Sequence, residues 1–139
     1  MIWTIIIIVV AGIIIKFLID LNKDNYDLQG GTISDKFKLL IHILNDAAFG
    51  GHGQISITDK RRCNLYKEGS NQIIILNYGT GILTITWRYK YFHKEVVHEK
   101  QFNDVRNISS FDQQKIANQM VMEMNHIIEN HQKSVLKDI

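Results

Sequence analysis

Residues 83–91 read LTITWRYKY, and this stretch decides the fold of the larger part of the chain. Large apolar side chains alternate with threonines and basic side chains, and this period of two places them on opposite faces of a β-strand. One face is apolar and the other polar, as in an antiparallel sheet that is covered on one side only. We expect Trp87, Tyr89 and Tyr91 in the core. The alternative is that helices leave this aromatic face open as a docking surface.

Similar patterns lie on both sides of this strand. Further strands are expected at residues 55–58, 63–67, 72–78 and 95–102. Gln72 to Tyr78 is apolar on both faces, which is typical of a central strand. Gly79-Thr80-Gly81 predicts a hairpin turn into the strand quoted above. Short strands joined by turns indicate an antiparallel sheet of four or five strands.

Two amphipathic helices are expected to flank this sheet. Thr32 followed by Asp35 resembles a capping box that opens a helix at 33–48, and a glycine-rich segment ends it. Ser109 and Ser110, with Asp112 or Gln113 completing a second box, open a helix that frays past His131. Both helices are expected on the apolar face. The predicted fold class is α+β, a transmembrane helix followed by a two-layer α–β(4–5, antiparallel)–α domain.

The chain begins with the apolar run IWTIIIIVVAGIIIKFLI, residues 2–19, which carries one charge. As a helix, this run would span roughly 27 Å, enough to cross the hydrocarbon core of a bilayer. Neither a basic region before it nor an A-x-A-like site after it suggests cleavage. We therefore divide the chain into a membrane anchor at 1–20, a polar juxtamembrane connector at 21–31 and a globular domain at 32–139.

Charges near the anchor indicate its orientation. The trailing side of the anchor carries four lysines, one near the end of the apolar run and three after it, whereas the leading side carries the α-amine alone; they are Lys16, Lys23, Lys36 and Lys38. The positive-inside rule then places the C-terminal domain in the cytoplasm. Ala11 and Gly12 make one thin place on an otherwise bulky helix, where a helix of another membrane protein could approach closely. The alternative is an anchor that contacts lipid alone.

Side chains capable of catalysis or metal binding do not form a recognisable motif. His93 and His98 are five residues apart in a predicted hairpin, and alternation would point their rings to opposite faces of one strand. Cys63 is expected to be a small buried apolar residue. The glycines at 50–53 follow a helix and precede a strand, the reverse of the order in a phosphate-binding loop. We assign no catalytic residue, no cofactor and no metal ligand.

Basic side chains are in excess in the predicted sheet. The candidates for contact with anionic lipid headgroups or with a partner are Lys60, Arg61, Arg62, Arg88 and Lys90. Some of this charge is expected to pair across strands, with Arg88 and Lys90 facing Glu95 or Glu99. The net charge of +2 is too small to suggest a nucleic-acid partner.

Two hypotheses for function follow from this sequence. The first is a membrane-anchored, non-catalytic accessory or assembly subunit, which binds integral membrane proteins through its anchor and other proteins through its domain. The alternative is a membrane-tethered small-ligand-binding domain or metal-dependent enzyme that uses histidines brought together by folding. The sequence favours the first hypothesis, because its titratable residues do not cluster along the chain.

Overall fold

The computed structural model describes residues 1–27 and 31–137, and within 20–27 it describes the backbone and the side chain of Asn22. The first helix, α1, runs over Ile2–Asp27 and so continues through most of the segment expected to be a connector. That polar extension contains neither Pro nor Gly, the two residues that disfavour a helix most, so the helix can continue through it. Residues 28–30 of the expected connector lie outside the described residues.

The first 18 residues of α1, Ile2–Ile19, form a helix that is long and apolar enough to cross a membrane. The side chains described in α1 are all exposed, so the rest of the protein does not cover this apolar surface. A contiguous apolar surface of this size is unusual on soluble monomers and marks a site of contact with lipid or protein.

Five strands form one antiparallel sheet in the order in which they occur along the chain. They are β1 (Gln54–Asp59), β2 (Arg62–Tyr66), β3 (Gln72–Gly79), β4 (Ile82–Tyr91) and β5 (Lys94–Phe102). The expectation of an antiparallel meander is confirmed, and β3 is its central strand. Trp87 in β4 lies opposite Ile74 in β3 and opposite His98 in β5. The edges of the sheet are β1 and β5.

The helix expected at 33–48 is interrupted. Its two parts are α2 (Ile33–Lys36) and α3 (Lys38–Phe49), and Phe37 between them departs from helical geometry with φ −106° and ψ 33°. The Phe37 side chain is fully buried, and its ring meets the ring of Tyr78 edge-on at 5.5 Å. The spacing of apolar residues predicts which side chains face the core. A break at one residue hardly changes this spacing, so the sequence did not predict it.

The last helix, α4 (Ser110–Lys137), supplies the side chain that stabilises this break. The Gln113 amide group donates from Nε2 to the carbonyl oxygen of Lys36 at 3.0 Å and accepts at Oε1 from the backbone N–H of Leu40 at 3.2 Å. In an unbroken helix these two backbone groups would bond each other. Gln113 is therefore not a capping residue. Capping of α4 falls to Ser109, whose hydroxyl accepts from the N–H of Asp112 at 3.1 Å.

Helices α2, α3 and α4 lie on one face of the sheet, as expected, and the core lies between the two layers. Trp87 and Tyr89 are buried in it and Tyr91 is half-buried, so the helices cover the aromatic face. The Trp87 indole N–H donates to Oε1 of Gln72 at 2.9 Å, and Nε2 of Gln72 donates to the carbonyl oxygen of Ala48 at 2.7 Å. This chain of bonds fixes the C-terminal end of α3 against the centre of the sheet.

Candidate functional site: the groove between β1 and α3

The helix layer does not reach across the whole sheet. Helices contact β2, β3, β4 and β5, whereas Ile55 and Ile57 of β1 remain 46% and 49% exposed. These two side chains lie on the helix-facing side, because Ile55 is opposite the buried Leu65 and Ile57 is opposite the buried Cys63. The apolar side chains of β1 thus face the same side as the core, but the helices leave them partly uncovered.

An open groove of about 570 Å³ lies in this uncovered region. Its floor includes Ile41 and Gln113, which are nearly buried, and its walls include Leu39, His42 and Ile55. Charged side chains from α2 and α3 line its rim; they are Asp35, Lys36 and Lys38. The groove therefore combines the apolar side chains of Leu39, Ile41 and Ile55 with polar and charged ones, as protein-binding surfaces do.

The strand β1, which contributes Ile55 to the lining of this groove, lies at an edge of the sheet. In the described part of the chain β1 pairs with β2 alone, so its other edge presents backbone N–H and C=O groups that no neighbouring strand uses. Its residues Gln54–Asp59 contain no Lys and no Pro, which often protect an edge strand from pairing. Such an edge can accept one more strand from another polypeptide.

The turn between α3 and β1 holds these two elements close together. Gly50 ends α3 in the left-handed conformation, with φ 58°, which glycine adopts without strain. The Asn45 carboxamide oxygen in α3 accepts from the N–H of Gly53 at 2.8 Å. A Cβ atom at Gly53 would lie 2.5 Å from that oxygen and 2.8 Å from the Phe49 ring, so any larger residue would force these side chains to move. This close approach sets the position of β1 beside α3.

A second polar cluster joins β5 to α4. The Glu123 carboxylate accepts from Lys100 Nζ at 2.7 Å, and its other oxygen lies 2.9 Å from Nε2 of His98. The hydrogen bond from Lys100, followed by that of His98, lowers the pKa of Glu123 to about 2. All three side chains are partly buried. Within the described residues no group of three His, Cys, Asp or Glu side chains could hold a metal ion. In this cluster the Glu123 carboxylate forms an ion pair with Lys100 instead.

Replacing Glu123 by Gln is expected to lower the free energy of unfolding at neutral pH by about 1 kcal/mol, after allowance for solvent screening. A depressed carboxyl pKa stabilises the folded protein above the ordinary value of 4.5, and this stabilisation is lost as the pH falls towards 2. The difference between E123Q and the wild type should therefore shrink over that range. Urea denaturation of the full chain in detergent between pH 2 and pH 7 measures it.

The exposed Glu129, which pairs with Lys133 at 3.0 Å within α4, provides the control for this prediction. E129Q removes one carboxylate from the same helix without touching the contact between α4 and β5. We expect it to have little effect at any pH. An equal effect of the two substitutions would show that the cluster around Glu123 does not stabilise the packing of α4.

The histidines and the cysteine occupy separate places. His93 lies in the turn between β4 and β5, with φ 63°, so strand alternation does not apply to it. His98 is half-buried against α4, where it contacts Glu123. His131 contacts the carbonyl oxygen of Lys94 at 2.9 Å. Cys63 is buried, which raises the pKa of its thiol to about 11 and disfavours the reactive thiolate.

The five basic candidates fall into two groups. Lys60 and Arg61 form the turn between β1 and β2, and Arg62 begins β2. Arg88 and Lys90 lie farther along β4, on the face without helices; Arg88 pairs with Glu95 at 3.3 Å, and Lys90 lies directly across from Glu95. Cross-strand pairing at Glu95 therefore agrees with our expectation.

The two groups lie apart along the strands. Arg62 is opposite Asn77, which is opposite Thr84, whereas Arg88 is four residues farther along β4. Four residues correspond to roughly 13 Å along a strand. The register of the strands therefore places the five candidates on two separate surfaces.

Ala11 and Gly12, the expected helix-packing position, lie on the exposed surface of α1. No atom of another element lies within 4 Å of a Cβ built at Gly12, so this position is open to a neighbouring helix or to lipid.

Sequence reasoning did not identify the groove or the role of Gln113. The signal for the groove was available in Ile55 and Ile57, which belong to the first strand of a meander and hence to an edge. Gln113 carried no such signal, because its partners are backbone atoms more than 70 positions away. No family model, curated protein or solved structure was found to match this chain.

Proposed function

We propose that this protein is a membrane-anchored, non-catalytic accessory or assembly subunit, which binds a partner protein in the groove between β1 and α3. Residues 2–19 cross the membrane, the domain faces the cytoplasm, and Ala11 and Gly12 contact a helix of an integral membrane partner. The proposal rests chiefly on one observation: β1 exposes an apolar face and an unpaired backbone edge at the same place. A partner segment could use both.

The occupant that fits this groove is an extended segment of the partner. Its backbone would pair with β1 as a sixth strand, and alternate apolar side chains would cover Ile55, Ile57 and Leu39. Backbone pairing supplies affinity, and the apolar pockets supply specificity. The charged rim would disfavour segments that are apolar throughout, because the rim side chains would lose their hydration without gaining polar partners.

Substituting Ile55 by Lys is expected to remove the partner from the purified complex. A half-exposed apolar side chain that becomes buried on binding contributes about 1–2 kcal/mol, and the lysine also places a charge in the interface, so affinity should fall at least tenfold. Folding should be unaffected, since Ile55 is 46% exposed in the free protein. The measurement is co-purification of the tagged full chain from its native membrane in mild detergent, followed by quantitative mass spectrometry.

The matched control is Val97→Lys. Val97 in β5 is 47% exposed, almost the same as Ile55, but it lies on the opposite face of the sheet. V97K should retain every protein that the wild type retains. A protein lost equally with both variants does not bind the groove. A full chain that purifies alone, as a monomer, contradicts the proposed function.

A further inference from the structure

One end of the domain is held close to the place where the anchor joins it. The backbone N–H of Ile33, at the start of α2, donates to the carbonyl oxygen of Lys60 at 2.8 Å. The turn that contains Lys60 is fixed in turn to the sheet, because the N–H of Tyr78 donates to the carbonyl oxygen of Arg61 at 2.8 Å. The turn between β1 and β2 therefore lies beside the first residues of the domain.

The length of the chain limits how far this turn can lie from the bilayer. From Ile19 to Asp27 the helix adds about 12 Å, of which the headgroup region takes up roughly half. Between Asp27 and Ile33 the backbone can span at most about 20 Å. The turn at Lys60 thus stays within a few nanometres of the membrane surface, and its contact with lipid would be an intramolecular event at high effective concentration.

The same end of the domain carries excess positive charge. Lys36, Lys60, Arg61 and Arg62 outnumber Asp35 and Asp59 by two. The Asp35 carboxylate accepts from the N–H of Thr32 at 3.0 Å, and that of Asp59 accepts from the N–H of Arg61 at 2.7 Å, so both acids are oriented towards the backbone. Lys60 and Arg62 are exposed.

We infer that Lys60 and Arg62, in the turn between β1 and β2, bind the anionic headgroups of the leaflet from which the anchor emerges. This contact orients the domain with that turn towards the membrane. Arg88 and Lys90 do not take part, because they lie farther along the sheet and share Glu95. The inference rests on the membrane anchoring in the proposed function and adds a lipid class and an orientation to it.

The test uses the full chain in nanodiscs of phosphatidylcholine, with or without 30% phosphatidylglycerol. A fluorescent donor is attached to Thr58→Cys, which is exposed beside the turn, and an acceptor is attached to a trace lipid. Cys63 does not react with the dye, because it is buried. Energy transfer then reports the distance between turn and bilayer. Since both leaflets have the same composition, the result does not depend on orientation.

We expect greater energy transfer in the anionic discs, and a return to the phosphatidylcholine level in high salt. Each basic side chain favours docking about fivefold, so K60Q/R62Q should lower the docked-to-undocked ratio roughly 25-fold. R88Q/K90Q removes the same charge from the other group and should leave the transfer unchanged. Thermal denaturation of each variant verifies that it is folded.

Equal transfer in the two kinds of disc overturns the inference, as does an equal loss with the two double variants. Both outcomes would leave the proposed function standing. Failure of the full chain to enter discs at all would instead contradict the anchoring on which both proposals rest. Because only purified chain and lipid are present, an acidic protein partner cannot produce the expected signal.

Discussion

Two arginines at the centre of the apolar segment 2–19 of α1, V9R/V10R, are expected to release the protein from the membrane. Thirteen Ile, Val, Leu and Phe residues in Ile2–Ile19 favour insertion by at most ~4–8 kcal/mol in total, at about 0.3–0.6 kcal/mol each. Two central arginines oppose it by about 5–7 kcal/mol. The cost of the two arginines is therefore about as large as the entire free energy that favours insertion. Resistance of the full chain to alkaline carbonate extraction measures the effect.

The control places the same arginines at the end of the helix, as I2R/W3R. There the side chains can reach the headgroups, so the cost is small and the protein should stay in the membrane fraction. Both variants have the same charge, and any difference between them reports depth in the bilayer. A V9R/V10R protein that still resists extraction would show that α1 is not a transmembrane anchor.

The sequence predicted those features that depend on local pattern. The alternation at 83–91 depends on the two faces of a single strand, so it identified β4 and the burial of Trp87 correctly. Apolar spacing likewise predicted the helix face that packs on the sheet. Both patterns survive in the structure because each residue's environment is set mainly by the face on which it lies.

The features that the sequence did not predict depend on contacts between distant segments. Whether β1 is covered depends on how far α3 and α4 extend across the sheet, which no pattern within β1 records. The half-burial of His98 follows from its pairing with Glu123, 25 positions later. The separation of Lys60 and Arg62 from Arg88 follows from strand register. The candidate site was therefore visible only as a set of residue types, not as a surface.

The break between α2 and α3 should depend on a single side chain, and replacing Gln113 by Met tests this. Met has nearly the same volume and flexibility, but it has no hydrogen-bond donor and its sulfur is only a weak acceptor. It would leave the carbonyl of Lys36 and the N–H of Leu40 without their partner, at about 1–3 kcal/mol each if they stay dry. We expect Q113M to lower the free energy of unfolding by ~2–4 kcal/mol in chemical denaturation. Q114M, at the exposed neighbouring position, should change it little.

Q113E separates the hydrogen bonds of Gln113 from its packing. An ionised Glu could still accept from the N–H of Leu40, but it would place negative charge against the carbonyl oxygen of Lys36. Burial favours its neutral form, and a protonated carboxyl has the donor and the acceptor that this position requires. Relative to the wild type at the same pH, Q113E should therefore be destabilised at pH 8 and recover as the pH falls. If Q113E were as unstable as Q113M at every pH, the two hydrogen bonds of Gln113 would not be what stabilises the break, because a protonated carboxyl can form both.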